Sequence, residues 1–330
     1  MDFQLLGTGS PLVDYSLPVT ETFLEKFVPS GKGGTRNISE ADKSAILQTF
    51  NGTVLRTPGG SAANTVRTFA ALGGRAALFG KTGKDQDADF FTSALRDNNV
   101  DDTLICRSET DPTGFCLSLI TPDAERTMLS NLGASLCITD DDLAGIDFSK
   151  FDYLLLEGYL ILEPWVDKLL ASADASGCKI ALDLNNFELV TRAKTRFTEI
   201  ISQYVSLLFG NGQEISALLG CSDRTQQISS LRQLVKETVF KLGSKGALIV
   251  LPDELITVDA CKIAPVTDTT GAGDFFAAGF FYGMSRHCPP ALCGKLGAIC
   301  ASHIIAETGT ILTEQSLQSM IKCINNEVQK

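Results

Sequence analysis

A chain of 330 residues, 44% of them hydrophobic, has enough apolar side chains to bury a large core, so disorder of the whole chain is excluded. Its formal net charge of -11, with no basic cluster to reverse it locally, argues against nucleic acid and anionic membrane surfaces as partners. Its 10 cysteines form no CxxC pair and it has only 2 histidines, which leaves little for a zinc site and reads as apolar thiols in a reducing cytosol.

The opening MDFQLLGTGS shows no basic leader, and no apolar run approaches the roughly 20 residues of a membrane span, so a soluble cytoplasmic protein is expected. In chain order, short apolar runs predict buried strands at residues 3–6, 76–79, 153–156, 179–182, 205–209, 238–241 and 247–251. Between several of them, residues 85–97, 164–176, 213–219 and 225–236 space apolar side chains three and four apart, as one face of a helix does. That βαβ succession predicts an α/β fold on a central, mainly parallel sheet. From Gly273 onward the pattern is helical, at residues 275–284, 291–306 and 314–327.

Two stretches break the rhythm. Residues 13–58 contain the polar string SGKGGTRNISE, while residues 103–131 read as closely spaced, alternating strands with turns at Asp111-Pro112 and Thr121-Pro122-Asp123. A small sheet with one exposed face, standing beside the main body as a lid, accounts for both. No repeat, low-complexity segment or linker divides the chain, so residues 1–330 are expected to form a single domain.

The most informative string is Val266-Thr267-Asp268-Thr269-Thr270-Gly271-Ala272-Gly273-Asp274-Phe275-Phe276, followed by small and apolar residues. It reads as a loop opening a helix. Glycines let a backbone approach a ligand, and the free amides of a first helical turn form a site for an anion. A carboxylate at that position, Asp274, stands where a hydroxyl would be deprotonated during phosphoryl transfer. A short GxGD alone is more often the mark of a capped helix and a tight turn.

The longer string closely resembles the signature of the ribokinase (PfkB) family of sugar and nucleoside kinases. The resemblance implies a three-layer fold with a small β lid. It makes Asp274 the catalytic base and Gly271, Ala272 and Gly273 the anion hole. A second signature appears at Pro58-Gly59-Gly60-Ser61-Ala62-Ala63-Asn64-Thr65, where the resemblance assigns Gly59, Gly60 and Asn64 to the acceptor. Gly9-Ser10-Pro11-Leu12-Val13-Asp14 is similar to the family's first strand exit, which would give Asp14 two sugar hydroxyls; an ordinary turn aspartate gives the same string.

Further matches cover most of the chain. Asn211-Gly212-Gln213-Glu214 resembles the family's N-x-x-E motif, which implies phosphate positioning and, through water, Mg2+ at Glu214; a capped helix with a solvated Glu reads identically. Lys241-Leu242-Gly243-Ser244-Lys245-Gly246 resembles the turn on the ATP side, with Gly243 and Gly246 its contacts. A monovalent cation such as K+ beside Asp268 is implied by the resemblance only. Asp123-Ala124-Glu125-Arg126-Thr127 resembles the lid hairpin, with Arg126 either a phosphate partner or a solvated turn residue. Gly80-Lys81-Thr82 imitates the end of a Walker A loop, but Arg75 stands where that loop needs glycine.

One departure limits the acceptor. Many sugar kinases of the family carry D-x-N-x-R where this chain has Asp183-Leu184-Asn185-Asn186-Phe187, without the arginine. Other strings, including Leu208-Phe209-Gly210-Asn211 and Thr308-Gly309-Thr310, are closer to the adenosine-kinase branch. Adenosine is therefore the leading acceptor and a sugar the alternative, in a monomer or a homodimer joined through the lid. Two rivals differ in class. An idle ligand-binding sensor has no need of Asp274, and a nicotinamide oxidoreductase would need a third glycine after Gly7-Thr8-Gly9, where Pro11 and Leu12 follow.

Overall fold

In the computed structural model, residues 4–123, 125–263 and 265–329 are described. Phe3 of the first expected strand and Ala124 of the expected hairpin turn lie outside them. The central sheet has ten strands. In spatial order these run Leu255–Val258, Ala247–Val250, Glu237–Lys241, Val205–Asn211, Lys179–Asp183, Tyr153–Glu157, Gln4–Thr8, Arg75–Thr82 and Val100–Asp101, with Ile105–Arg107 also paired to Arg75–Thr82. Only the two pairings that involve Ala247–Val250 are antiparallel.

Strands buried on both faces need apolar side chains in both directions, which explains the unbroken runs in the sequence. Leu5 faces one core and Leu6 the other, and the alternation repeats with Leu207 and Leu208. Helices cover both faces, giving three layers. The helix Ala272–Ser285 is apolar almost all round because it is enclosed: Phe280 and Phe281 set their rings 5.7 and 5.5 Å from that of Phe209 on the sheet, and helices Ser61–Ala71 and Pro290–Ile304 flank it.

A second sheet orders Thr35–Asn37, Arg126–Gly133, Thr113–Ile120, Leu12–Pro18 and Leu55–Gly59. Its register places Leu12 opposite Gly59 and Asp14 opposite Thr57, so Asp14 and the glycine pair meet at one edge. Tyr15 and Lys43 from this side donate to the Asp87 carboxylate on the helix Gln86–Asp97, Lys43 at 2.9 Å, and tie the small sheet to the main body.

Three expectations need correction. Residues 105–107, read as part of the small sheet, extend the main one, because the strand Arg75–Thr82 continues past residue 79 and offers them an edge. The polar stretch 13–58 holds two helices, Glu21–Phe27 and Glu40–Thr49, begun by the caps Thr20 and Ser39. The strand Leu255–Val258 and the helices Phe187–Arg192 and Lys194–Tyr204 were not predicted at all.

Among the described residues, no helix is long and apolar enough to cross a membrane.

Candidate active site

In the central sheet Gln4–Thr8 is flanked by Arg75–Thr82 on one side and Tyr153–Glu157 on the other, so successive connections leave in opposite directions there. Crevices form at the carboxyl ends of such strands. Glu157, Asp183, Asn211 and Lys241 all terminate strands at this edge.

Two helices begin over the same edge. The first, Ser61–Ala71, follows Gly60 at φ +95°, and a Cβ there would lie 2.3 Å from the Ser10 carbonyl oxygen. Only glycine makes that turn without strain. Gly60→Ala should cost about 1–3 kcal/mol of stability, read as a lower denaturation midpoint at unchanged slope. The helix start is also held by Glu157, which accepts hydrogen bonds from the amides of Ser10 at 2.8 Å and Ala62 at 3.2 Å. Burial raises the Glu157 carboxyl, and those amides oppose the rise.

The second helix, Ala272–Ser285, follows Gly271 at φ +76°. Asp274 lies in its first turn and is gripped by the first helix. Ser61 Oγ donates to Oδ1 at 2.7 Å and Asn64 Nδ2 donates to Oδ2 at 2.9 Å. Asn185, at φ +59°, donates to Ser61 Oγ at 2.8 Å and so turns the serine toward Asp274. Arg67 Nη1 donates to Asn64 Oδ1 at 3.4 Å, which fixes the amide with its nitrogen toward the carboxylate. Burial pushes the Asp274 carboxyl up to about 7, against the two hydrogen bonds that favour its charged form. Part of the residue still reaches the crevice.

The turn itself is partly committed. The Ala272 amide donates to the Thr269 carbonyl at 3.3 Å. Among the described residues no partner is found for the amides of Gly271, Gly273 and Asp274, so these, rather than that of Ala272, are left to hold an anion. Lys241 stands beside them: a Cβ on Gly273 would lie 3.0 Å from its Nζ. The ammonium donates to Asp183 at 2.8 and 3.1 Å. Burial works against that charge, but Asp183 and Glu214 outweigh it and raise the Lys241 pKa, so it stays protonated at neutral pH. The site thus brings a half-buried carboxylate, free amides and a fixed cation within one crevice. That arrangement can accept a proton from a hydroxyl and hold charge on a transferring phosphoryl group.

The remaining sequence candidates are placed as follows. Asp14 lies against Gly59, where a Cβ would meet its Oδ1 at 2.4 Å; burial pushes its carboxyl up to about 7 despite the charges of Arg67 and Arg126. Asn211 and Glu214 form a reciprocal cap on the helix Gly212–Leu219, Glu214 accepting from both nitrogens of Asn211 at 2.7 Å. Gly243 and Gly246 bracket a single helical turn after Lys241; the Gly246 turn is structural, since a Cβ there would strike the Val258 carbonyl oxygen at 1.9 Å. Asp268 accepts from Gly309 N at 2.7 Å, from Thr270 N at 3.0 Å and from Arg126, and although burial raises its carboxyl these donors hold it below the usual range. Arg126 also donates to Thr270 Oγ1 at 3.0 Å, which sets it over the glycine turn.

Sequence reasoning gave no role to Ser61, Glu157, Asn185, Arg67 or Lys241. Lys241 carried a local signal, a basic residue ending an apolar strand just before a glycine turn, and Ser61 and Asn185 lay within the strings at residues 58–65 and 183–187.

Fold and site together define a phosphotransferase that acts on an alcohol group. Residues 40–317 match the family model described as pfkB family carbohydrate kinase, and the chain belongs to that family. It is 28% identical to the aminoimidazole riboside kinase of Salmonella typhimurium over 243 residues, 70% of this chain and 75% of that protein. Among solved structures it resembles adenosine kinase from Sinorhizobium meliloti, with a TM-score of 0.86 and 28% identity over 98% of this chain and 100% of the other. A probable sugar kinase from Rhizobium etli gives a TM-score of 0.87 at 28% identity, with 98% and 99% covered.

Proposed function

We propose that this protein transfers the γ-phosphoryl group of ATP to a hydroxyl of a nucleoside, with adenosine the leading acceptor, and that Asp274 is its general base. The observation that carries this reading is the Asp274 carboxylate, held by Ser61 and Asn64 beside the free amides of a helix start. The acceptor hydroxyl attacks the γ-phosphorus as the bond to the bridging oxygen breaks, and Asp274 takes the hydroxyl proton. The amides of Gly273 and Asp274, Lys241 and Arg126 carry the negative charge of the phosphoryl group. Asp14, Gly59, Gly60 and Asn64 hold the acceptor's other hydroxyls.

Magnesium entering with ATP would neutralise phosphate charge, and its preference for waters and one or two carboxylates suits Glu214. The residues fit: both Glu214 oxygens accept one bond each from Asn211, which leaves lone pairs for metal-bound water. The small sheet acts as a lid that excludes water.

Adenosine is favoured over a sugar by two apolar surfaces at this edge. Tyr159, whose hydroxyl feels the charges of Asp274, Glu157 and Glu214, is 44% exposed, and Phe187, two residues past Asn185, is 43% exposed. Flat aromatic faces suit a base better than a polyol.

The test is ATP consumption with Mg2+ against adenosine, other nucleosides, ribose and fructose. Adenosine should give a kcat/KM at least about tenfold above any sugar. A free sugar as the best acceptor would move the substrate and keep the mechanism, while ligand binding without turnover across the panel would sink the kinase reading.

A further inference from the structure

One helical turn past Asn64, Arg67 lines a cavity of about 340 Å³ that is separate from the crevice described above. The cavity opens between the helices Ser61–Ala71, Gln86–Asp97 and Glu314–Val328. Phe90, Ile311 and Met320 give it an apolar wall, and Arg56, Arg67 and Thr310 bring polar groups to it. Asp97, on the exposed face of its helix, is the one acid among the described lining residues.

The guanidinium ends are engaged elsewhere, Arg56 Nη2 with Asp87 and the Gln86 carbonyl and Arg67 Nη1 with Asn64 and the Pro58 carbonyl, but each keeps an unpaired nitrogen. Arg56 Nε, Arg67 Nε and Thr310 Oγ1 are all buried with no hydrogen-bond partner. Arg67 and Thr310 are 7% and 4% exposed, so solvent is a poor substitute. Buried donors left unmade are costly and normally find partners. Three of them in one lining, two on guanidinium groups, describe the complement of an oxygen-rich anion. Arg56 also stacks over the Phe90 ring at 4.2 Å, which puts a cation and an apolar face side by side.

We infer that this cavity is a second binding site, for a small molecule with an apolar body and an oxoanion head. The head lies between Arg56 and Arg67 and the body on the wall of Phe90, Ile311 and Met320. The cavity is physically joined to the active site at three points. Arg67 orients Asn64, which holds Asp274. Phe275, next to Asp274, is part of the same lining. Thr310 packs its methyl 3.0 Å from where a Cβ on Gly271 would be.

A bound anion draws Arg67 away from Asn64 Oδ1. The amide is then free to turn, and Asp274 loses one of the two hydrogen bonds that keep it ionised. The acidic limb of activity therefore moves to higher pH when the cavity is filled. This coupling rests on the proposed role of Asp274; binding in the cavity does not.

The probe is phenyl phosphate, observed by ligand-detected NMR and by calorimetry on the whole protein with saturating ATP analogue and adenosine present. Saturable binding is expected, with phenol and inorganic phosphate each at least about tenfold weaker. Ala94→Trp, which fills the cavity from the helix Gln86–Asp97, should abolish binding and leave turnover without the probe unchanged. Arg56→Gln is the second variant and should weaken binding at least about tenfold. Displacement by ATP or adenosine, survival of binding in both variants, or no binding up to about 10 mM would overturn the site. An acidic limb that stays in place while the probe is bound would overturn the coupling.

Discussion

Asp274→Asn should leave a folded protein that binds ATP and has lost about 10³-fold in kcat, the range a positioned base contributes. The substitution keeps the shape and removes the lone proton acceptor, so a loss confined to kcat isolates the chemical step. The same carboxylate sets the pH dependence. On the proposed role of Asp274, whose pKa is pushed up to about 7, kcat/KM should fall as the pH drops below that value.

Stability moves in the opposite sense. Asp274 titrates near 3.8 when unfolded and near 7 when folded, so between those values the folded protein holds more protons and becomes less stable as pH rises. Asp274→Asn removes its share of that slope. At pH 8 the variant should melt about 2 °C higher than the parent, on the order of 1 kcal/mol, and near pH 4 the advantage should vanish. The slope will not disappear altogether, because Asp14 is raised to about 7 by the same burial. A variant with near-parental turnover would remove Asp274 from the base role, whatever its stability.

The elements legible in the sequence are those whose physics is local. Parallel strands buried on both faces produce continuous apolar runs, and the central strands appeared at close to their observed bounds. Leu255–Val258 did not, because an edge strand of four residues with Leu255 42% exposed carries too little apolar signal. The helix Glu40–Thr49 was lost inside a polar stretch although Ser39 and Asp42 form a capping box that announces it.

The site divides along the same line. Asp274, Asn64 and the glycine turns lie in short strings at helix starts, where residue type and position coincide. The partners that give Asp274 its properties are distant: Ser61 is 213 residues away in sequence, and Asn185 reaches Ser61 across 124. No local pattern records such a pairing. Arg67 was equally silent, since a basic residue on an amphipathic helix usually faces solvent, whereas here it is buried.

Lys241→Met is the second large effect, and it separates catalysis from folding. Lys241 places a positive charge beside the Gly273 amide, where the transferred phosphoryl group gathers negative charge, so its loss should cost about 10²-fold in kcat with a smaller change in KM. It also leaves Asp183 and Glu214, each 4% exposed, without their cation. Removing one partner of a buried pair typically costs about 3–5 kcal/mol, so the single variant should be markedly less stable at pH 8. It should recover in part as the pH is lowered, because burial raises the Glu214 carboxyl and so favours its protonation once the cation is gone.

The double variant Asp183→Asn, Lys241→Met resolves the two roles. With Asp183 neutralised and Glu214 the acid that still faces the missing cation, part of the stability should return, while kcat should stay low because the charge at the phosphoryl site is still absent. Lys241→Arg should rescue neither fully, since a planar guanidinium cannot take the place of a compact ammonium enclosed by Asp183 and the glycine turn. If the double variant recovers turnover together with stability, Lys241 acts only by neutralising Asp183, and the phosphoryl charge is carried by the helix amides and Arg126 alone.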